Sequence, residues 1–185
     1  MTTIETKFRD ALHDAGLLIS DQVFQGLCTF LHLLLKANET TNLTAITDYG
    51  EGLYKHIYDA LLVAKFPQFL ETKRILDVGS GGGIPAIPLA LAFPDKQIYS
   101  LEATRKKVDF QAQAAQTLDL KNFHPLWNRA EILGHDPQYR EEFDLVIARA
   151  VAATPVLTEL LIPFAKVNGY ILLYKGKEGA MEVEE

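Results

Sequence analysis

The chain changes its hydrophobic rhythm near residue 70. Before that point apolar residues recur at helical spacing: Phe8, Leu12 and Ala15, then Phe24, Leu27, Leu31, Leu34 and Leu35 behind a candidate N-cap at Ser20. Residues 40–47 are polar and rich in turn formers, so they read as a loop. Asp48 and Glu51 have the spacing of a capping box, and the helix behind them would place Leu53, Ile57, Leu61 and Ala64 on one face. From about residue 72 short apolar runs alternate with helical stretches. The pattern predicts strands over 74–78, 97–101, 123–127, 143–148 and 170–174, and helices near 85–93, 105–118 and 154–166. Residues 129–142 fit neither period. Strand–helix alternation implies a parallel sheet covered on both faces and joined by right-handed crossovers. The expected organisation is an N-terminal helical region over 1–70 and an α/β, Rossmann-like core over 71–185. In such sheets ligands bind at the carboxyl ends of the strands.

Length and composition narrow the class. A chain of 185 residues is one domain, or one with a small appendage, and buries a core without disulfides or a structural metal. One cysteine (Cys28) and five scattered histidines exclude a disulfide scaffold, a zinc finger and an iron–sulfur site, so no metal is expected. No apolar run approaches the roughly 20 residues of a membrane span. The first residues lack the basic and apolar regions of a signal peptide. The expectation is a cytoplasmic monomer, away from membranes, with its thiol reduced. The net charge of −6 argues against a nucleic-acid partner, but its distribution matters more. Residues 1–70 carry 5 basic and 8 acidic side chains, residues 71–175 carry 12 of each, and the last ten carry one lysine and four glutamates. The neutral middle leaves room for a local basic patch.

The first predicted strand runs into Asp77-Val78-Gly79-Ser80-Gly81-Gly82-Gly83-Ile84-Pro85. Glycines there allow positive φ and close approach of a ligand to the backbone, and Pro85 suits the first turn of the next helix. Placement marks a nucleotide site; spacing restricts which. The dinucleotide fingerprint G-x-G-x-x-G fails, because its third glycine would fall on Ile84. No Gly-Lys-Ser/Thr follows, which excludes a P-loop. The pattern present is D-x-G-x-G-x-G: Asp77, Gly79, Gly81 and Gly83. It resembles motif I of class I S-adenosylmethionine-dependent methyltransferases. Glu102 ends the second strand 19 residues after Gly83, where an acid accepts hydrogen bonds from both ribose hydroxyls of a nucleoside. Ala130-Glu131 follow the third strand, where methyltransferases of this class contact the adenine.

The remaining strand ends bear on the substrate. Cytosine-C5 methylation needs a cysteine nucleophile, and Cys28 lies in an N-terminal helical pattern instead. The turn after the fourth strand, Ile147-Ala148-Arg149-Ala150, is unlike the N-P-P-Y turn of exocyclic-amine methyltransferases, and no set of metal ligands gathers there. Positive charge does: Lys106 opens the helix after strand two, Arg129 follows strand three, Arg149 follows strand four and Lys175 ends strand five. Four cations on consecutive strand ends suit a polyanionic substrate, arginine binding phosphate bidentately and lysine as a point charge. The competing reading pairs some of them with Glu131 or Asp144. An edge without an evident general base suits guanine N7, whose lone pair is free at neutral pH. An acidic phenol would be as undemanding.

Taken together these residues resemble the RsmG (GidB) family of bacterial small-subunit rRNA guanine-N7 methyltransferases. The likeness runs from about residue 20 to 178 through Asn42-Leu43-Thr44-Ala45-Ile46, His56 with Asp59, Asp77 through Pro88, Lys106-Lys107, Arg129-Ala130-Glu131, Arg149-Ala150 and Lys175-Gly176. The resemblance implies a class I methyltransferase fold and S-adenosylmethionine as methyl donor. It implies a donor site of Asp77, Gly79, Gly81, Gly83, Ile84, Ala103, Thr104, Ala130, Glu131 and Arg149, with Glu102 at the ribose. Arg149, Arg129, Lys106 and Lys175 would contact 16S rRNA, within or near the assembling small subunit. The chain departs from the family at Glu102-Ala103, where Asp-Ser is usual, and at Lys107, where arginine is usual. Methyltransferases of this fold also carry two strands after the fifth; the acidic ending at Glu185 is expected to lack them. Two other functions fit the same scaffold: methylation of a small molecule, and non-catalytic RNA binding or assembly.

Overall fold

The computed structural model describes residues 1–149 and 154–174. Helix α1 (Thr3–Asp14) begins in a reciprocal capping box between Thr2 and Glu5, and α2 (Asp21–Asn38) begins at Ser20, whose hydroxyl accepts the Val23 N–H. Their apolar stripes are buried at Phe8, Leu12, Phe24, Leu27, Leu31 and Leu34. Next come α3 (Tyr49–Gly52), a π-helical stretch (Leu53–Tyr58) and α4 (Asp59–Leu61), continued by 3-10 turns at Leu62–Lys65 and Pro67–Glu71. Asp48 does cap the Glu51 N–H, at 2.7 Å. The Glu51 carboxylate, however, turns to Lys55 Nζ one helical turn on, at 2.5 Å, instead of closing a capping box. Leu53, Ile57 and Leu61 are buried as the period predicts, but the wider π turn adds His56 and Ala60, and Val63 replaces Ala64 at the end of the stripe.

The alternating half builds β1 (Arg74–Val78), α5 (Ala86–Ala92), β2 (Gln97–Glu102), α6 (Arg105–Thr117), β3 (Phe123–Trp127), α7 (Ala130–Leu133), β4 (Phe143–Arg149), α8 (Thr154–Leu161), a 3-10 turn (Ile162–Phe164) and β5 (Ala165–Tyr174). All pairings are parallel and the order is β3-β2-β1-β4-β5. Helix α8 stops short of the predicted 166 because Pro163 removes a backbone donor and disfavours helix at the residue before it, which lets β5 start five residues early. The ambiguous stretch after β3 holds only the one-turn α7. Pro125 is tolerated in β3 because that strand pairs on one side only among the described residues. The two strands expected to be missing concern the chain after Tyr174, outside the described residues.

Alternation along the strands sorts the core into two layers. Ile75, Ile98, Phe123, Leu145 and Ile147 pack against α5, α6 and the N-terminal helices in one cluster that runs without a break from Phe8. Leu76, Val78, Leu101, Val146 and Ala148 pack against α7 and α8. A register shift between Phe143 and Leu145 moves Phe143 to this second layer. The strand order reverses direction beside β1, so the carboxyl ends of β1 and β4 form the crevice where such sheets take ligands. No helix among the described residues is long and apolar enough to cross a membrane.

Candidate functional site

The crevice is a cleft of about 360 Å³. Of the residues expected from the sequence, Gly79, Glu102, Ala103, Arg129, Ala130, Glu131 and Arg149 line it. Asp77, Gly81, Gly83, Ile84 and Thr104 do not line it. Lys175 lies outside the described residues. Lys106 is exposed and off the cleft; its neighbour Lys107 lines the wall instead. One residue along a helix turns a side chain by about 100°, so only one of the pair can face inward.

The loop after β1 is held from both sides. Gly79, Gly81 and Gly83 have φ of 75°, 57° and 82°, a region that L side chains rarely adopt. A Cβ on Gly83 would also come within 2.6 Å of Ile87 Cδ1. Leu34 and Leu43 press on the other side at Gly82, so the N-terminal region buttresses the loop directly. Asn38 secures that buttress by accepting the N–H groups of Leu43 and Thr44 at 2.7 and 2.9 Å. Asn42 itself is exposed and does not line the cleft.

Beneath the loop lies a ring that the sequence reading missed. Gln111 Nε2 donates to Ser80 Oγ and to the Gly81 carbonyl, both at 2.8 Å. The Ser80 and Ser100 hydroxyls are 2.6 Å apart, and Ser100 lies 2.8 Å from Gln111 Oε1. A hydroxyl has one proton, so Ser100 donates to Gln111, Ser80 donates to Ser100, and every group is used. The signal was available: Ser100 and Gln111 are polar residues at positions where the strand and helix periods call for apolar ones. Glu102 closes the loop from the β2 side, its two oxygens accepting the Gly81 and Thr104 N–H groups at 3.0 and 2.8 Å. Each oxygen keeps a lone pair for a further donor.

Asp77 is fully buried and neither of its carboxylate oxygens has a hydrogen-bond partner. Burial pushes its pKa well above the usual carboxylate range; the nearby Ala86 N–H, outside hydrogen-bond geometry, and the Arg149 charge oppose the rise, and the Glu102 charge adds to it. It faces the layer that holds the π-helical stretch and Tyr174. Arg149, on the same face, donates to the Lys55 carbonyl and sits 3.3 Å from Asp59. His56 is buried against Thr44, 2.7 Å from its hydroxyl, and burial together with the Arg149 charge lowers its pKa to about 4. The Tyr174 hydroxyl donates to the Ala60 carbonyl, and burial raises its pKa, as do the charges of Asp77 and Asp59. Of His56 and Asp59, a pair without assigned chemistry in the sequence, Asp59 thus holds Arg149 together with the Lys55 carbonyl, and His56 ties the same segment to Thr44.

The cations divide. Arg129 pairs with Glu131 at 3.3 Å, an exposed contact of small energetic weight. Arg149 pairs with Asp59 rather than with either carboxylate considered from the sequence; Asp144 binds Lys166 and caps the backbone of Lys73 and Arg74. Lys106 and Lys107 have no ion-pair partner among the described residues.

A family model described as rRNA small subunit methyltransferase G matches residues 24–185. The ribosomal RNA small subunit methyltransferase G of Leuconostoc citreum is 41% identical over 185 residues, covering 99% of this chain and 77% of the relative. That of Brevibacillus brevis is 37% identical over 179 residues, covering 97% and 75%. Among solved structures, a putative caffeoyl-CoA O-methyltransferase from Staphylococcus aureus has a TM-score of 0.60 at 12% identity, covering 97% of this chain and 83% of that one. An O-methyltransferase from Bacillus cereus, solved in complex with SAH, has a TM-score of 0.60 at 22% identity, covering 82% and 68%. At such identities the structures show the fold alone: a class I methyltransferase fold.

Proposed function

The chain belongs to the rRNA small subunit methyltransferase G family, and we propose that it transfers a methyl group from S-adenosylmethionine to N7 of a guanine in 16S rRNA. The observation that carries the cofactor assignment is Asp77. A buried carboxylate with two unpartnered oxygens is stabilised by a cation, and the methionyl end of S-adenosylmethionine carries an ammonium group. Glu102, pinned by two backbone N–H groups with lone pairs to spare, fits a ribose diol. The positive-φ glycine loop fits a ligand lying against the backbone.

When bound, S-adenosylmethionine supplies an electrophilic methyl on a sulfonium centre. The protein's part is then alignment and exclusion of water. Guanine N7 presents its lone pair without losing a proton, so no base is required. The two carboxylates on the cleft wall are already engaged, Glu102 by N–H groups and Glu131 by Arg129, which suits such a reaction. Holding nucleophile and methyl in line contributes roughly 7–11 kcal/mol toward the barrier. Arg149, Arg129, Lys107 and the outlying Lys106 would hold the phosphates flanking the target; Arg149 is anchored at Asp59 and Lys55 while lining the cleft. Lys175 joins them in this reading.

The test is transfer of label from S-adenosylmethionine into small subunits lacking the modification, followed by borohydride and aniline cleavage, which cuts at N7-methylguanosine. Cleavage at a single guanine is expected. Incorporation without cleavage would overturn the N7 assignment, and binding of RNA without incorporation would favour a non-catalytic assembly role.

A further inference from the structure

The single tryptophan of the chain is the last residue of β3, and it is 56% exposed. A large ring left in water is usually free to swing; this one is fixed. Its indole N–H donates to the Ala103 carbonyl at 3.0 Å. The Arg105 guanidinium covers the ring at 4.8 Å from its centroid, and is itself held by Asp109 at 2.8 Å. The ring is therefore rigid and placed beside the cleft wall, to which Ala103 belongs.

The charge beside it breaks a local rule. Arg105, Lys106 and Lys107 fill the first turn of α6, which contains no acid, although the positive end of a helix favours acidic residues there. Arg105 is balanced by Asp109, but Lys106 and Lys107 are unpaired among the described residues, so their two charges serve no local ion network. Where a local preference is overridden without internal compensation, function is the usual reason.

We propose that Trp127 and the first turn of α6 form a stacking platform for an unpaired RNA base next to the target guanine. The base would lie on the indole face opposite Arg105, and Lys106 and Lys107 would take the adjoining phosphates. Single-stranded RNA is recognised by stacking on aromatic side chains, and every base offers a π-face. The alternative occupant of equal chemistry is the adenine of the cofactor, and the strand pleat argues against it. Trp127 shares the parity of Phe123 and lies on the α6 side of the sheet. The apolar cleft wall formed by Val78 and Leu101 belongs to the opposite layer. The platform rests on the rRNA methyltransferase reading above, whose substrate it helps to select.

Because Trp127 is the sole indole, fluorescence excited at wavelengths that tyrosine does not absorb reports on it alone. The full chain would be titrated with a short single-stranded RNA oligonucleotide and, separately, with S-adenosylmethionine, while labelled-RNA anisotropy measures binding independently. Quenching by RNA, saturating with the anisotropy change, is expected. Trp127→Ala should weaken RNA binding roughly 5- to 150-fold, the range for one stacked base. Trp127→Phe should restore most of it, and KM for the methyl donor should not move. RNA bound equally well by parent and Trp127→Ala, without quenching, would overturn the platform and leave the proposed function standing. Quenching by S-adenosylmethionine and not by RNA would return the ring to the cofactor. No RNA binding and no methylation of small subunits would sink both proposals together.

Discussion

The two halves of the cleft are built on opposite plans. The glycine loop and the end of β2 are fixed from behind: Ser80, Ser100 and Gln111 form a closed buried ring, and Glu102 uses both oxygens on backbone N–H groups. The rim of cations has almost no such support. Arg129 is paired on the surface with Glu131, Lys106 and Lys107 are unpaired among the described residues, and only Arg149 has anchors on a second element. A small, invariant ligand rewards pre-organisation, because every restrained dihedral lowers the entropy lost on binding. A large polyanion is drawn in by field as much as by fit, and flexible surface cations suffice for that. Arg149 is the exception that joins the two, since it sits on the cleft wall and also on the N-terminal layer.

If that comparison is right, the largest loss follows from removing the joint. Arg149→Ala is expected to lower kcat/KM for small-subunit methylation by a factor of about 100 to 1000, the range for removing one positioned donor from a reaction site. Asp59 and the Lys55 carbonyl lose their partner in the same step. Steady-state kinetics with unmodified subunits would measure it. Turnover within threefold of the parent would remove Arg149 from the site and leave the rim without a structured member.

The same contrast explains what could be read from the sequence. The five strands and the glycine loop were legible because period-2 runs and closely spaced glycines have few other uses. Ser80, Ser100 and Gln111 were not, because their partners lie 11 to 31 residues apart and meet only once β1, β2 and α6 are assembled. Lys106 was preferred over Lys107 because strand ends can be counted along a chain, whereas the rotation of a helix about its own axis depends on which face packs. The sequence singles out no partner for Arg149 for a similar reason: Asp59 is 90 residues away, at the start of α4 and just behind a π-helical stretch that a regular 3.6 period does not anticipate.

A sharper test of the rigid half uses Asp77. Its folded-state pKa is raised by burial, so protonated Asp77 stabilises the fold fully below the unfolded value and that stabilisation is lost as pH rises through the folded value. Asp77→Asn does not titrate at this position. It should therefore flatten the fall in stability with rising pH and exceed the parent in stability on the alkaline side. Affinity should move the other way. If the ionised carboxylate meets the methionyl ammonium, the Asn variant should bind S-adenosylmethionine about 10- to 150-fold more weakly, the range for a charged hydrogen bond of roughly 1.5–3 kcal/mol. Methylthioadenosine, which lacks that ammonium, should bind both proteins alike. Calorimetric titration with the two ligands separates the cases, and an equal loss for both would detach Asp77 from the amino-acid end.

The smallest expected effect comes from Gln111→Ala, and it distinguishes support from contact. The substitution strips Ser80 and Ser100 of a shared partner in a buried place, which costs about 1–3 kcal/mol. For a chain of this length that is a fall in Tm of roughly 2–12 °C. Gln111 is not part of the cleft wall, so methyl transfer below the new transition should keep kcat, with KM for S-adenosylmethionine rising only as far as the loop loosens. Gln111→Glu sharpens the point. It keeps the acceptor but offers a carboxylate where the Gly81 carbonyl needs a donor, and so should destabilise at least as much as alanine at neutral pH. A Gln111→Ala protein with unchanged Tm would mean that the ring is not what fixes the loop, leaving Glu102 and the pressure of Leu34 and Leu43 to do so.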